Sequence, residues 1–336
     1  MQRIKVIFVL AILTALLLSA CAGGVPAAPA GDAAATGGEA EPAAAAPSGD
    51  KPTIRLIENT WPASELNVAV AANILQSQLG YPVEIIALDE QAQWDALAGD
   101  DADASLEVWP SGHGERIAQY IDEQKVVENG GELGVVGRIA WYTPKYAVDA
   151  NPALATWEGF QDAAVVAEFA TAETGDKGAF FAGPLGWTQY DQQIMDQLGL
   201  NFQVINTASE EALLAQVSSA YARQEPVLFY FYVPHAIFTQ YDLVGVALPE
   251  CTKEEHVAKV EAGAVDCAYP EDRLIKIFNP KLAEAAPEAY SLLKNFNYTT
   301  DDQIEMLGLI AEGKTVEEAA QAWVDGHADA WQAWLQ

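Results

Sequence analysis

A tryptophan and a histidine stand close together at the end of a segment that the sequence predicts to be extended. Residues 104–109 are extended and partly apolar, and the pattern then stops, because Pro110 cannot donate to a strand ladder and Gly112 frees the backbone. Ligands of open α/β sheets bind at the carboxyl ends of strands, where Trp109 would lie. Trp109 offers a π face and His113 an N–H donor, a pair that suits a small molecule with a cation at one end and an anion at the other. The alternative is a tryptophan that closes the core beside a surface histidine.

Aromatic side chains beside proline or glycine recur at two more predicted strand ends. One is Trp187, which closes the segment Gly183-Pro-Leu-Gly-Trp187, and the other is Tyr232, which precedes a Pro-His pair ending at His235. Trp61 follows the first predicted strand in the same way. Such rings suit a cation, which gains about 0.5–2 kcal/mol from each desolvated π face. A carboxylate at the other end of the same ligand would need hydrogen-bond donors.

The elements that carry these loops alternate between strand-like and helix-like patterns. Extended apolar segments occur at 53–58, 81–86 and 104–109, with helical periodicity between them. This β-α-β-α-β order predicts a largely parallel sheet in an α/β fold. Residues 226–232 form a continuous apolar run, which is typical of a strand buried on both faces. Residues 165–169 are predicted to be a further strand.

The carboxyl-terminal part is predicted to be helical. Residues 317–335 have the pattern of one long amphipathic helix, on which Trp323, Trp331 and Trp334 recur at helical spacing. That spacing favours core packing for these three tryptophans rather than a role in a binding site. With 336 residues, of which 51% are apolar, the chain is long enough for two globular domains.

The amino-terminal segment has the features of an export signal. Arg3 and Lys5 precede an apolar run, and the first twenty residues contain no acid. The run is too short and too close to the end of the chain for a membrane-spanning helix. Residues 1–20 are therefore predicted to be a signal peptide.

The signal ends in a sequence that resembles a lipobox. In Leu18-Ser-Ala-Cys21 the small residues suit a peptidase, and Cys21 would be lipidated and become the new amino terminus. An ordinary secretory signal with an incidental cysteine is the alternative. A diacylglyceryl group would supply two chains, which is enough for stable membrane attachment. Residues 21–51, rich in Ala, Gly and Pro, would then be the lipidated cysteine and a disordered tether.

The strong acidity of the chain excludes two classes of partner. The formal net charge is −31, and it becomes −33 when Arg3 and Lys5 are removed with the signal. Such a surface repels nucleic acids and anionic lipid head groups, so neither is a predicted partner. Contact with the membrane is predicted only through the lipid anchor.

The remaining cysteines are predicted to pair. If Cys21 carries lipid, Cys251 and Cys267 are left in an oxidising compartment, and a disulfide between them would contribute about 3 kcal/mol by loop entropy. A metal site is the alternative, but the chain has no Cys-x-x-Cys and no matching pair of histidines. No metal and no cofactor is therefore predicted.

The order of these segments resembles that of the glycine betaine/proline betaine substrate-binding proteins of ABC transporters. Besides the aromatic loops, the resemblance includes Leu79-Gly-Tyr-Pro-Val83 and Ile277-Phe-Asn-Pro-Lys-Leu282, and it covers roughly residues 53 to 334. It implies an α/β protein of the type II periplasmic-binding-protein fold, with two α/β lobes and a ligand cleft between them. One lobe would comprise residues 52–137 plus 245–336 and the other residues 138–244.

The resemblance also implies an aromatic box around a quaternary ammonium. Trp109, Trp187 and Tyr232 fall at the box positions of the family, and Trp61 could add a fourth wall. This chain departs from the common family pattern at Tyr232, where tryptophan is more usual. It departs again at Ala236, where a further aromatic is often found, and these differences leave the exact ligand open.

Hydrogen-bond donors for a ligand carboxylate are implied at two histidines. His113 and His235 fall where different members of the family hold that group. The backbone N–H groups of Thr188 and Gln189 open a predicted helix and could bind it as well. Trp141 could line a hinge or pack in the core, and packing is favoured.

These features predict an extracytoplasmic, lipid-anchored solute-binding protein that captures a quaternary ammonium compatible solute and delivers it to an ABC transporter permease. It would do no chemistry on the ligand, and its closure would be a population shift. One alternative is a sensory receptor of the same fold, which the sequence does not separate from a transport protein. A surface hydrolase is less favoured, because the four histidines form no His-Glu-x-x-His and no Gly-x-Ser-x-Gly is present. The sequence does not distinguish glycine betaine from proline betaine, choline or carnitine.

Overall fold

The computed structural model describes residues 51–336, and the predicted signal peptide, Cys21 and nearly all of the tether lie outside the described residues. Within this range the chain forms nine strands: β1 (Ile54–Glu58), β2 (Val83–Ala87), β3 (Ala104–Val108), β4 (Glu128–Pro144), β5 (Gly178–Ala182), β6 (Phe202–Asn206), β7 (Leu228–Val233), β8 (Leu243–Gly245) and β9 (Asp272–Phe278).

Helices occupy most of the connections between these strands. The α-helices are α1 (Pro62–Ser77), α2 (Ala92–Ala98), α3 (Gly114–Arg116), α4 (Lys145–Ala150), α5 (Ala163–Glu168), α6 (Asp191–Gln197), α7 (Glu210–Arg223), α8 (Ile237–Gln240), α9 (Lys253–Glu261), α10 (Leu282–Ala285), α11 (Pro287–Asn295), α12 (Thr300–Ala311), α13 (Val316–Gly326) and α14 (Ala328–Gln332). Short 3₁₀ segments lie at Pro110–Gly112, Pro152–Ala155, Trp157–Gln161 and Ala333–Leu335, and a π-helical segment continues α3 over Ile117–Glu123.

The long strand β4 takes part in two sheets. From Glu128 to Gly137 it pairs antiparallel with β9, and from Arg138 onward it pairs antiparallel with β7 and then β8. The first sheet has the order β2-β1-β3-β9-β4, and the second continues as β4-β7-β5-β6. The parallel pairs of β1 with β2 and β3 agree with the sequence prediction, whereas β9 and β4 add antiparallel pairs that a largely parallel sheet does not include.

The strands end where the sequence places the aromatic loops. β3 ends at Val108, directly before Trp109, and β5 ends at Ala182, five residues before Trp187. β7 lies between β4 and β5 and is buried from Leu228 to Tyr232, as its continuous apolar run predicts. The loops that carry candidate ligand contacts are therefore attached to strands in the interior of the molecule.

Two predicted elements differ from the structure. Residues 165–169 were expected to be a strand, but they belong to α5 and the turn after it, because the Asp162 side chain accepts a hydrogen bond from the backbone N–H of Ala164 and caps the helix. The predicted helix over 317–335 is interrupted after Gly326 and continues as α14 and a 3₁₀ turn.

The carboxyl-terminal tryptophans pack in the core. Trp323, Trp331 and Trp334 are all buried, and the rings of Trp323 and Trp334 stack with centroids 5.8 Å apart. The three tryptophans thus pack in the core as predicted, even though the helix that carries them is divided. Among the helices of residues 51–336, none combines the length and the apolar character needed to cross a bilayer.

A disulfide joins Cys251 to Cys267 across 16 positions of sequence. The loop that it closes contains α9, whose first turn is fixed by a capping box between Thr252 and Glu255. Asp266 lies beside the two sulfur atoms, but these are bonded to each other, so neither is available as a thiolate ligand for a metal.

Candidate functional site

A small cavity, about 30 Å³ in volume, lies where loops and strands of the two sheets meet. Its wall is mostly aromatic and combines side chains from both sheets: Trp61, Glu90, Trp109, Ser111, Gly112, Ile139, Trp187, Thr188, Tyr190, Tyr230, Tyr232 and Tyr269. The structure thus brings together five of the residues that the sequence analysis proposed as ligand contacts, namely Trp61, Trp109, Trp187, Thr188 and Tyr232.

The four proposed box residues contact one another around this cavity. The ring centroids of Trp61 and Trp187 are 6.1 Å apart, and those of Trp187 and Tyr232 are 5.7 Å apart, as are those of Tyr232 and Trp109. All three pairs are close to perpendicular, at 88°, 78° and 79°. Each ring is at most 8% exposed. A site built from such rings attracts a cation through the negative π faces and excludes the water that would compete for it.

Two glycines make room for the box tryptophans. A Cβ at Gly137 would lie 2.3 Å from the six-membered ring of Trp109, and one at Gly183 would lie 2.5 Å from that of Trp187. Both distances are far below van der Waals contact, so any larger residue would displace the ring. Gly137 is also the last residue of β4 that pairs with β9 before the strand enters the second sheet.

A buried carboxylate holds two of the box tryptophans from behind. Glu107 on β3 is 1% exposed and accepts hydrogen bonds from the indole N–H of Trp61 at 2.7 Å and of Trp109 at 3.1 Å. The Asn67 amide donates to its other oxygen at 2.6 Å, and Gln303 lies near that oxygen. Burial raises the pKa of Glu107 to about 7, although these four donors act in the opposite direction. Glu107 therefore fixes the orientation of two cavity rings at once.

A second carboxylate holds the box tyrosine in the same manner. The Tyr232 hydroxyl donates to Glu210 Oε2 at 2.7 Å, and Glu210 stands in the first turn of α7, where backbone N–H groups favour a carboxylate. His235 lies 3.0 Å from the other oxygen of Glu210. Because His235 Nδ1 accepts a hydrogen bond from the backbone N–H of Ile237, the proton of the neutral ring is on Nε2 and is donated to Glu210. His235 thus supports Tyr232 through Glu210 and does not line the cavity.

A third carboxylate, Glu90, reaches the cavity itself. It follows β2, is 6% exposed, and accepts a short hydrogen bond from the backbone N–H of Thr188. His113 Nε2 lies 3.4 Å from its other oxygen. Trp94 donates to His113 Nδ1 at 3.3 Å, so the proton of the neutral imidazole again lies on Nε2 and faces the carboxylate. Burial alone would raise the pKa of Glu90, but His113 and Thr188 outweigh it and the pKa is lowered.

Neither histidine is among the residues that line this cavity, and their role as ligand contacts stays a prediction. His113 is 1% exposed and lies behind Glu90, and His235 lies behind Tyr232. Each ring lies beside a buried glutamate, but only His235 Nε2 is hydrogen-bonded to its neighbour, Glu210, at 3.0 Å. His113 Nε2 lies 3.4 Å from Glu90 Oε2 and has no hydrogen-bond partner in the described part of the chain.

Two aspartates complete the layer of carboxylates behind the wall. Asp191 accepts from Trp141 Nε1 at 2.7 Å and from the Tyr269 hydroxyl at 3.2 Å, and burial raises its pKa to about 6. Asp272 accepts from both the backbone N–H and the hydroxyl of Ser111, at 2.8 and 2.5 Å. Trp141 is fully buried and does not line the cavity, in agreement with the packing role that was favoured for it.

Several residues of the wall were missed by the sequence analysis. Tyr230 is two positions before Tyr232 on one strand, and side chains at that spacing share a face, so the strand period alone would have found it. Glu90 follows β2 at a carboxyl end, where strand position could have marked it, but a single acidic residue carries no signal that separates it from the surface. Tyr190 and Tyr269 carry no comparable signal, because Tyr269 reaches the wall only through the path of the loop after α9.

Comparison with known families places the chain among solute-binding proteins. Residues 52–326 match the model of the OpuAC family, described as the substrate-binding domain of ABC-type glycine betaine transport systems. A trimethylamine N-oxide-binding protein of Pelagibacter ubique is 26% identical over 293 residues, which is 84% of this chain and 90% of that protein.

Solved structures with the same fold include two ligand complexes. Lactococcal OpuAC with glycine betaine, at 21% identity, matches 85% of this chain and 100% of its own with a TM-score of 0.65. An ABC-transporter choline-binding protein with choline, also at 21% identity, matches 84% of this chain and 91% of its own with a TM-score of 0.66. The predicted type II periplasmic-binding-protein fold, with two α/β lobes around a cleft, is thereby confirmed.

Proposed function

The chain belongs to the OpuAC family of substrate-binding domains of ABC-type glycine betaine transport systems, and on that premise we propose that it captures a quaternary ammonium compatible solute in the cavity lined by Trp61, Trp109, Trp187 and Tyr232. Family membership makes it the substrate-binding component of an ABC transporter for betaine-type solutes, and not an enzyme. The aromatic box as the binding site is our own assignment.

The observation that carries this assignment is the composition of the cavity wall. Three tryptophans and four tyrosines line the cavity. Within the described residues, neither lysine nor arginine lines it. Trimethylamine N-oxide, glycine betaine and choline, which name the relatives, share a trimethylated nitrogen. Such a group offers no N–H and is best held by π faces and by apolar enclosure.

The path of β4 supports a division into lobes that can close on the solute. The strand leaves the first sheet after Gly137 and enters the second at Arg138, next to the box residue Trp109. We therefore assign residues 52–137 plus 245–336 to one lobe and 138–244 to the other. Ligand contacts from both lobes would stabilise the closed form and shift the population toward it.

The amino-terminal prediction gives this protein its place in the cell. A signal peptide over residues 1–20 and lipidation of Cys21 would hold it on the outer side of the cell membrane, with residues 21–51 as a tether. From there it would deliver the solute to the permease subunits of the transporter. Metabolic labelling with a fatty acid, in the wild type and in a Cys21→Ser variant, tests this anchor.

The binding function is tested by titrating the purified protein with glycine betaine, choline, carnitine and trimethylamine N-oxide. Tryptophan fluorescence is the direct readout, because three of the proposed contacts are tryptophans, and calorimetry gives the affinity. We expect a saturable change with at least one of these ligands. A Trp157→Phe variant is the control, since it removes a tryptophan that lies outside the cavity and should leave the affinity unchanged. If none of the four ligands binds to protein that circular dichroism shows to be folded, the proposed function is wrong.

A further inference from the structure

One donor expected for a ligand carboxylate is already occupied by a carboxylate of the protein, and a second lies beside the same group. The Thr188 backbone N–H donates to Glu90 Oε1, and His113 Nε2 lies 3.4 Å from Glu90 Oε2. Glu90 is anchored in this place by its own backbone, whose carbonyl accepts from the Gln93 amide at 2.9 Å. A zwitterionic ligand would therefore bring a second carboxylate to a donor set that holds one already.

The charged side chains directly behind the described wall are acidic, and the cation Arg116 lines a neighbouring cavity, not this one. Glu107, Glu210, Asp191 and Asp272 are each at most 3% exposed and lie directly behind residues of the wall. Their combined field is visible at Tyr230, whose pKa is raised well above its usual value by burial and then by Asp191, Glu90, Asp272 and Glu210. The wall itself, within the described residues, carries no cationic side chain.

From these contacts we propose that Glu90 fills the carboxylate subsite from within, so that the cavity selects quaternary ammonium ligands of net charge +1, with a hydroxyl or another neutral tail, over zwitterionic betaines. The inference rests on the proposed function, because it concerns the ligand of the same cavity. Choline is the simplest probe of this class. Glycine betaine is its matched counterpart, since both molecules have the same trimethylated nitrogen and differ in the tail.

The physical reason is the balance of charge in a dry site. A cation gains from the aromatic faces and from the carboxylate of Glu90, whose pKa is lowered and whose attraction is only weakly damped at low effective dielectric. A betaine carboxylate would stand beside Glu90 without a countercharge, and like charges juxtaposed in a binding site cost several kcal/mol. Trp187 Nε1, which is buried and lacks a hydrogen-bond partner in the described part of the chain, is a neutral donor that suits a hydroxyl oxygen.

The test compares the two ligands on the wild-type protein and on two variants of Glu90. Calorimetric titration of the purified protein should give a dissociation constant for choline at least about tenfold below that for glycine betaine. Glu90→Gln keeps the shape of the side chain but removes its charge. It should weaken the binding of choline and bring the dissociation constants of choline and glycine betaine closer together. Glu90→Ala frees the Thr188 N–H and removes the carboxylate beside His113, and it should raise the affinity for glycine betaine by about tenfold or more while lowering that for choline.

A surface variant controls for net charge alone. Glu284 is exposed on α10, and Glu284→Gln changes the formal charge by the same amount as Glu90→Gln without touching the cavity. We expect its ratio of the two affinities to match that of the wild type.

The outcomes separate this inference from the proposed function. Binding of glycine betaine as tight as choline or tighter by the wild-type protein overturns the inference and leaves the proposed function in place. An unchanged ratio in Glu90→Gln, with the fold intact by circular dichroism, also overturns it. If neither choline, glycine betaine nor any other quaternary ammonium compound binds, both the inference and the proposed function are wrong. If Glu90→Ala does not fold, the inference is still tested by the ratio of the two affinities in the wild-type protein and in the isosteric Glu90→Gln variant.

Discussion

Replacing Glu107 by glutamine should change how the stability of this protein depends on pH. In the folded protein the pKa of Glu107 is raised from 4.5 to about 7, with burial as the main cause. The folded state therefore holds a proton that the unfolded state releases between these two values. The sign follows directly, because stability falls as pH rises wherever the folded state binds more protons. Wild-type Glu107 thus favours folding in acid and opposes it above neutral pH.

The size of the effect can be worked out from the same pKa values. A carboxyl that moves from 4.5 to about 7 on folding corresponds to roughly 3 kcal/mol between the two limits of pH, at 1.36 kcal/mol for each pKa unit. Between pH 5 and pH 8 about 2–3 kcal/mol of this difference should appear. Glu107→Gln does not titrate, so the free energy of unfolding of the wild type should fall relative to the variant by that amount over this range.

Glutamine also carries a constant cost that is independent of pH. Glu107 receives hydrogen bonds from Trp61, Trp109 and Asn67, and an amide NH₂ must face at least one of these donors. A buried donor left without an acceptor costs about 1–3 kcal/mol. The variant should therefore be less stable than the wild type at pH 5, and the gap should narrow or reverse at pH 8.

The measurement is urea unfolding of both proteins at pH 5, 6, 7 and 8, followed by far-ultraviolet circular dichroism. Glu284→Gln, on the surface, serves as the reference for a glutamate that is exposed in both states. A difference between wild type and Glu107→Gln that stays constant across this range would refute the reasoning, and so would a difference of the opposite sign.

Three further perturbations test the site and its support. Trp109→Ala should weaken binding of the preferred ligand by roughly 2 kcal/mol, about thirtyfold, through loss of one π face, and calorimetry that finds unchanged affinity would remove Trp109 from the box. Gly137→Ala places a methyl group where the Trp109 ring lies, so it should weaken ligand binding although it changes no residue of the cavity wall. An unchanged affinity together with an unchanged fluorescence spectrum would contradict this expectation. Reduction of the Cys251–Cys267 disulfide should lower the free energy of unfolding by about 3 kcal/mol, whereas the Cys251→Ser/Cys267→Ser double variant should not respond to reductant.

The sequence was informative about the strands and the aromatic loops because both depend on local rules. A proline after Trp109 and the apolar run before Tyr232 each mark a strand and its end without reference to the rest of the fold. The error at residues 165–169 was also local, since two adjacent valines favour a strand while the capping side chain of Asp162 decides for a helix. Attention to the cap would have corrected it.

The carboxylates behind the cavity could not be predicted, because their partners are distant in the sequence. Glu107 meets Gln303, and Asp272 meets Ser111 across 161 positions. A glutamate in an acidic chain is expected to be exposed on the surface, and only the folded structure places Glu107 against an indole N–H. The surroundings of the two histidines could not be predicted for the same reason, because the buried glutamates beside them come from other elements.

Burial of the carboxylate layer has a consequence for binding at high ionic strength. Salt screens exposed charges beyond about 10 Å at 0.1 M and about 3 Å at 1 M, but it screens groups enclosed in protein much less. The surface, with its share of the net charge of −31, can speed the arrival of a cation only in dilute solution. The carboxylates behind the rings act on a cation that is already inside, where screening by salt is much weaker. Rising ionic strength should therefore slow association and leave the residence time of the solute nearly constant.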